Sequence, residues 1–174
     1  MKTIVLLCGT SKSGKTKTLK ALFKVSHVRR LLPNQLLEGT INKTKILAVS
    51  LGSPQEIEKF CNIAKVEENI SRRIQKCEHA YPDENYALII PYGVYQKSRT
   101  DRELNEKCFL EPVEWLKTLG FKIIAVYIRK RTARLLGSKD SLIRKISKFE
   151  INSNKEYQRQ AIELENYLKN EFQT

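Results

Sequence analysis

One stretch narrows the possible folds of this chain more than any other. The apolar run Ile4-Val5-Leu6-Leu7-Cys8 leads directly into Gly9-Thr10-Ser11-Lys12-Ser13-Gly14-Lys15-Thr16, and Lys17-Thr18-Leu19-Lys20-Ala21-Leu22-Phe23 continues it in a helical pattern. An apolar run without alternation reads as a strand buried on both faces. Strand, glycine-bounded loop and helix thus follow in the order that a phosphate-cradling turn requires. Gly9 and Gly14 carry no Cβ, so the backbone there can turn tightly and approach a ligand closely. Successive loop N–H groups then point into one concavity, and the helix start adds unpaired donors and the positive end of its dipole.

With its complete G-x-x-x-x-G-K-[ST] spacing, Gly9 to Thr16 resembles the Walker A motif of the P-loop NTPase superfamily. The resemblance implies that Gly9, Thr10, Ser11, Lys12, Ser13, Gly14, Lys15 and Thr16 hold a nucleoside triphosphate. It also implies that Lys15 reaches the β- and γ-phosphates and that the Thr16 hydroxyl ligates Mg²⁺. ATP and Mg²⁺ are the expected cofactors.

Length and composition set the frame for that motif. A chain of 174 residues with 41% hydrophobic residues fits one globular domain over residues 1–174. No apolar run approaches the roughly 20 residues needed to span a bilayer. Met1 to Cys8 is too short for a signal peptide, lacks a small-residue cleavage site and runs straight into the loop, so a cytoplasmic protein without membrane contact is expected. Cys8, Cys61, Cys77 and Cys108 are scattered without a C-x-x-C pair and read as small buried apolar residues. His27 and His79 stand alone and read as surface or helix-end residues.

The net charge of +13 is unevenly spread. No acid occurs from Met1 to Leu37, where Lys12, Lys15, Lys17, Lys20, Lys24, Arg29 and Arg30 crowd together; a second basic stretch from Arg129 to Lys148 contains only Asp140. Such a field favours polyanions: nucleotide phosphates and a nucleic-acid backbone. Solvated helix faces are the plainer reading of the same charges.

Taken in order, strand Thr3–Cys8 is followed by a helix to about Val28, a break at Pro33-Asn34, and strands Gln35–Ile41 and Thr44–Leu51 around an Asn42-Lys43 turn. Ser53, Pro54 and Glu56 form a helix start with a capping box. One helix is predicted from there to about His79, with Ile57, Phe60, Cys61, Ala64, Ile70, Ile74 and Cys77 on its apolar face. Tyr86–Ile90 reads as a short strand ended by Pro91-Tyr92-Gly93, and Gly93 to Asp101 as a basic loop at its carboxyl end. Arg102–Leu119 reads as helical, with Pro112 either a kink or a second start and Gly120 a C-cap. A strand Phe121–Ile128 and a basic helical region Arg129–Phe149 follow. The Ser153…Glu156 capping box opens a terminal helix, about residues 153–172, with Tyr157, Ala161, Leu164, Leu168 and Phe172 on one face, packing on its own sheet or on a second copy as a homo-oligomer. Alternating strands and helices predict an α/β fold, three-layer α/β/α around a mainly parallel sheet, with the ligand at the strands' carboxyl ends.

Those ends decide the chemistry. An Asp usually follows a buried strand in this superfamily and holds the metal, but Pro91 stands in that place and the central strand ends Ser50-Leu51. The metal role then passes to Ser50, Glu56 or Asp101; Asp101 also reads as a helix N-cap before Arg102. Arg129, Arg131 and Arg134 follow the last strand, at a point similar to where small nucleoside and nucleotide kinases carry lid arginines that clamp the transferring phosphoryl group. Asn42-Lys43-Thr44-Lys45 lacks the acid that guanine recognition requires, which sets GTPases aside. The reading is a small ATP-dependent phosphotransferase acting on a nucleotide, nucleoside or nucleic-acid end, with Lys15, Asp101, Arg131 and Arg134 as catalytic candidates. The alternative is a nucleotide-dependent switch with weak ATPase activity that engages nucleic acid or a partner protein.

Overall fold

The structure is a computed structural model that describes residues 2–10, 13–25, 29–31, 36–49, 52–57, 62–82, 84–94, 102–128, 147–151 and 157–173. In chain order its elements are β1 (Thr3–Thr10), α1 (Lys15–Val25), β2 (Arg29–Leu31), β3 (Leu36–Ile41), β4 (Thr44–Val49), α2 (Pro54–Ile57), α3 (Ile63–Ala80), β5 (Tyr86–Val94), α4 (Arg102–Thr118), β6 (Lys122–Ile128), β7 (Ser147–Ile151) and α5 (Tyr157–Glu171). The strands form one sheet in the order β2-β3-β4-β5-β1-β6-β7. From β4 to β7 every neighbour is parallel, while β2, β3 and β4 pair antiparallel at one edge.

The period of two along β1 divides the core into two layers. Ile4, Leu6 and Cys8 face Val66, Ile70, Ile74 and Cys77 of α3 and Phe109, Val113 and Leu116 of α4. Val5 and Leu7 face Leu19, Leu22 and Phe23 of α1 and Ala161, Leu164 and Leu168 of α5. Helices on both faces of a mainly parallel sheet make the chain a three-layer α/β/α fold, as the alternation of elements predicts. The apolar face of α5 is used within the chain, against α1 and its own sheet.

Several sequence expectations hold in detail. The β3–β4 hairpin turns at Asn42 and Lys43, both with positive φ (46° and 64°), the mirror-image turn that suits twisted strands. Lys43 tolerates that strain next to a tethered neighbour, because Asn42 Nδ2 donates to the Lys169 carbonyl of α5 at 2.6 Å. Cys8, Cys77 and Cys108 are buried free thiols, and His79 sits exposed in the last turn of α3. At the end of α4, Gly120 N donates to Lys117 O at 2.9 Å and Phe121 N to Leu116 O at 3.3 Å, the paired bonds of a glycine C-cap. Gly120 has φ +82° and open space where a Cβ would go. Gly120→Ala is therefore expected to lower stability by about 1–2 kcal/mol, a purely conformational cost, readable as a shift in the urea midpoint without a change in slope.

Others are corrected. The single helix predicted from Ser53 to His79 is two. Pro54 does open α2, but α2 ends at Ile57, and α3 starts afresh behind Asn62, whose Oδ1 accepts from Lys65 N at 3.2 Å. Ala64 is exposed, and Val66 and Arg73 take places on the buried face of α3. The strand predicted to stop at Ile90 runs on to Val94 through Pro91, because its described pairing with β4 ends at Ile89 while that with β1 continues to Thr10↔Val94. A proline is tolerated where one flank of a strand loses its partner. Pro112 starts no second helix: α4 passes through it, and the Tyr92 hydroxyl donates to the Phe109 carbonyl of that turn at 2.9 Å. Ser147–Phe149, read as the end of a basic helix, belongs to β7, and Arg29–Leu31, left between the predicted helix end near Val28 and the break at Pro33-Asn34, is edge strand β2. Both are short segments whose strand state comes from pairing with a neighbour, a tertiary effect that overrides local pattern. The terminal helix spans Tyr157–Glu171; its expected cap, Ser153 and Glu156, lies outside the described residues.

Candidate functional site

The helix following β1 lies on one face of the sheet, whereas those following β4 and β5 lie on the other. Adjacent parallel strands whose connections leave to opposite faces open a crevice beyond their carboxyl ends. Here that place lies between β1 and β5, where Gly9 and Gly93 stand opposite each other one residue before the last pair, Thr10 and Val94. Neither glycine carries a side chain, so two bare backbones meet just inside the crevice.

The glycine-bounded loop leaves β1 there. Thr18 N donates to Gly14 O at 2.8 Å, closing the first turn of α1. Gly14 has φ +96°, and a Cβ on it would overlap the Tyr157 ring of α5. A Cβ on Gly9 would overlap Ser13 Oγ and crowd the Lys15 stem. The spacing of the two glycines thus has two separate causes, a backbone conformation at Gly14 and a close approach at Gly9. Gly14→Ala is expected to destabilise the fold by about 2–4 kcal/mol, combining an unfavourable positive φ with overpacking. Adding Tyr157→Ala should recover only the packing share, which a double-mutant cycle in urea would measure.

Lys15 is only 4% exposed, and its Nζ donates to the Gly9 carbonyl at 3.0 Å. Its positive charge opposes, but does not overcome, the burial that pushes the Cys8 thiol far above its ordinary range. Ser13 is equally buried, and its Oγ has no hydrogen-bond partner among the described residues. Thr16 is half-buried on the first turn of α1. A buried cation resting on a neutral carbonyl, next to an unsatisfied hydroxyl and an unshielded strand end, fits an anionic group with several oxygens.

The first turns of α1 are held by α5. Thr18 Oγ1 donates to the buried Gln160 Oε1 at 2.6 Å, and Lys17 Nζ lies 5.0 Å from the centre of the Tyr157 ring. On the other side of the crevice, Gly93 N donates to Gln55 Oε1 at 2.9 Å. Arg73, on the buried face of α3, reaches the loop after β4: its Nη2 donates to the Gly52 carbonyl at 2.7 Å and its Nε to Asn69 Oδ1 at 2.9 Å. Burial pulls the Arg73 pKa down to about 10, which leaves it cationic at neutral pH. Burial also raises the neighbouring Tyr92 hydroxyl well above its usual range, and the Gln55 amide moderates that rise.

Of the residues expected to hold phosphate, Gly9, Thr10, Ser13, Gly14, Lys15 and Thr16 are brought to this crevice, while Ser11 and Lys12 lie outside the described residues, as do Ser50, Asp101, Arg131 and Arg134. Glu56 falls within α2. The described ends of β4, β5 and β6 are apolar, and the sequence reading missed one acid in a strand: Glu150 of β7, opposite Tyr127 and two strands from β1. Gln55, Arg73, Tyr157 and Gln160 also escaped that reading. A polar residue placed on the apolar face of an amphipathic helix, as Arg73 and Gln160 are, was the signal available for two of them. A concavity of about 470 Å³ lined by Lys2, Glu78, Trp115, Leu119 and Phe121 lies at the opposite, amino end of the strands and is unconnected with this chemistry. Among the described residues no helix is long and apolar enough to cross a membrane.

No protein-family model matches the sequence, and no curated protein matches it. The solution NMR structure of a de novo designed P-loop fold protein is similar over 97% of this chain and 92% of that chain, at 12% identity and a TM-score of 0.48. That likeness is too distant to bear on fold or function.

Proposed function

We propose that the chain binds ATP·Mg²⁺ through Gly9–Thr16 and transfers the γ-phosphoryl group to a nucleotide, a nucleoside or a nucleic-acid end. The observation that carries this reading is Lys15: a buried ammonium held on the Gly9 carbonyl, beneath a glycine-bounded loop at the crevice between β1 and β5. Phosphate oxygens would offer that ammonium charge-assisted hydrogen bonds, stronger than one to a neutral carbonyl. Backbone N–H groups of the loop and the start of α1 take up the remaining phosphate oxygens. The Thr16 hydroxyl would be the protein's ligand to Mg²⁺, and the ion would supply charge neutralisation at the phosphates.

In the transfer the acceptor oxygen bonds to the γ-phosphorus, the bond to the bridging oxygen breaks and ADP leaves, while the acceptor hydroxyl releases its proton. Asp101 is the proposed base or orienting group, and Arg131 and Arg134 the proposed clamps on the moving phosphoryl group. The net charge of +13 suits a polyanionic acceptor in the cytoplasm.

The apolar described ends of β4 and β5 favour a second reading, in which triphosphate occupancy switches the binding of a nucleic acid or a protein and turnover is slow. Phosphate release and transfer from MgATP, measured with and without single-stranded and duplex nucleic acid, separates the two. Turnover that nucleic acid stimulates and Lys15→Ala abolishes supports phosphotransfer on a polyanion. Binding without turnover for any nucleotide, nucleoside or nucleic-acid acceptor sinks phosphotransfer and leaves the switch. A steep loss of nucleic-acid affinity with salt, beside a nearly flat ATP affinity, is the expected signature of the polyanion contact.

A further inference from the structure

A second polar cluster lies across the β1–β5 crevice from Lys15, centred on a buried cation. Arg73 is 2% exposed, and both partners of its guanidinium, the Gly52 carbonyl and the Asn69 amide oxygen, are neutral. Among the described residues its Nη1 has no partner and no carboxylate pairs with it. Gln55 is 1% exposed; its Oε1 is committed to Gly93 N, which fixes the amide orientation and leaves Nε2 as a donor beside the Tyr92 oxygen, without a hydrogen bond of full geometry among the described residues. The nearby Tyr92 hydroxyl already gives its proton to Phe109 O. Gly52, Ser53 and Gln55 are near neighbours in the chain, and Ser53 and Gln55 both lie against Gly93, so the Arg73 and Gln55 side chains both reach the carboxyl ends of β4 and β5.

Leaving a buried cation without a counter-ion costs several kcal/mol, and a buried N–H without an acceptor about 1–3 kcal/mol. Negatively charged acceptors would relieve both, and among the described residues no carboxylate pairs with either group. A guanidinium with an uncommitted Nη1 and an amide N–H at the same strand ends are donors of the kind that recognise phosphate oxygens. We propose that Arg73 and Gln55 form a phosphate-binding subsite for a second ligand, separate from the Gly9–Thr16 loop and one strand away from it. The role of that ligand as phosphoryl acceptor rests on the proposed function; its binding does not.

The test uses the full chain carrying Lys15→Ala, which disables the loop, and follows thermal melting in inorganic phosphate or AMP at constant ionic strength. A ligand that binds only the native state raises the melting temperature, by about 3–5 °C at roughly ten times its dissociation constant for a chain this size. Phosphate is expected to stabilise Lys15→Ala, and the response to vanish when Arg73→Met or Gln55→Glu is added. Gln55→Glu keeps an acceptor for Gly93 N–H and supplies a carboxylate, so it should also melt above its Lys15→Ala parent without phosphate. A purely structural role for Gln55 predicts no such gain. A larger shift with AMP than with phosphate identifies a nucleotide, and equal shifts the phosphate group alone. Lys15→Ala that ignores both ligands overturns the proposal, as does a response that survives Gln55→Glu, the variant that decides if Arg73→Met does not fold. MgATP binding by the unmodified chain tests the loop separately.

Discussion

Lys15→Ala is expected to weaken MgATP binding by about 10²–10³-fold while leaving the fold intact. The two halves of that result come from different parts of the structure. In the folded chain Lys15 Nζ donates to the Gly9 carbonyl at 3.0 Å. Alanine at the first position of α1 is a good helix former, and the loss of that hydrogen bond is offset by removal of a buried charge. Bound to triphosphate, the same ammonium would donate to β- and γ-oxygens, each charge-assisted bond contributing about 1.5–3 kcal/mol. Two such bonds account for the expected loss, at about 1.4 kcal/mol per tenfold. Calorimetric titration with MgATP, beside a urea melt of the same protein, measures both. An unchanged affinity would remove the ground for the proposed function, and a collapsed melt would make Lys15 a structural residue. Lys15→Arg should rescue little, because the longer planar fork must fit at a position that is only 4% exposed.

What could be read from the sequence follows from how local its cause is. β1, the loop, α1 and the β3–β4 turn are set by residues adjacent in the chain, and all were legible. The split of α2 from α3 was not. Ser53-Pro54 and Asn62 are both good helix starts, and apolar spacing through residues 57–64 masked the second. β2 and β7 are strands because β3 and β6 lie beside them, information absent from their own five or fewer residues. The loop glycines were legible as a motif, but the partner that crowds Gly14, Tyr157, is 143 positions away in the chain. Arg73 and Gln55 fell out for the same reason: their meaning lies in what surrounds them, and a basic residue in a helix with Arg72 beside it reads as surface until burial separates the two. Arg72 pairs with Glu68 in solvent, and Arg73 turns inward.

Phe109→Ala is expected to cost about 3–5 kcal/mol, the range for deleting a buried aromatic side chain. Phe109 is 1% exposed and stands between two buried tyrosines, edge-to-face with Tyr92 at 5.2 Å and stacked on Tyr127 at 6.5 Å. Such pairs add about 0.5–1.5 kcal/mol beyond area burial, which places the loss toward the upper end. For a chain of this size the melting temperature should fall by about 6–20 °C. The Tyr127 hydroxyl, already without a partner among the described residues, would border the new cavity. Phe109→Leu refills most of that volume and should cost about 1–1.5 kcal/mol. Tyr92 precedes Gly93 at the mouth of the crevice, so the cavity opens behind one wall of the candidate site. Yet α4 lies on the face of the sheet opposite α1, and the loop with Lys15 rests on backbone and α5 contacts that Phe109 does not make. Measured well below the melting transition, MgATP affinity in Phe109→Ala should therefore fall less than tenfold while stability falls most. A larger loss of affinity would mean that the α3–α4 layer helps to hold the loop as well as the sheet.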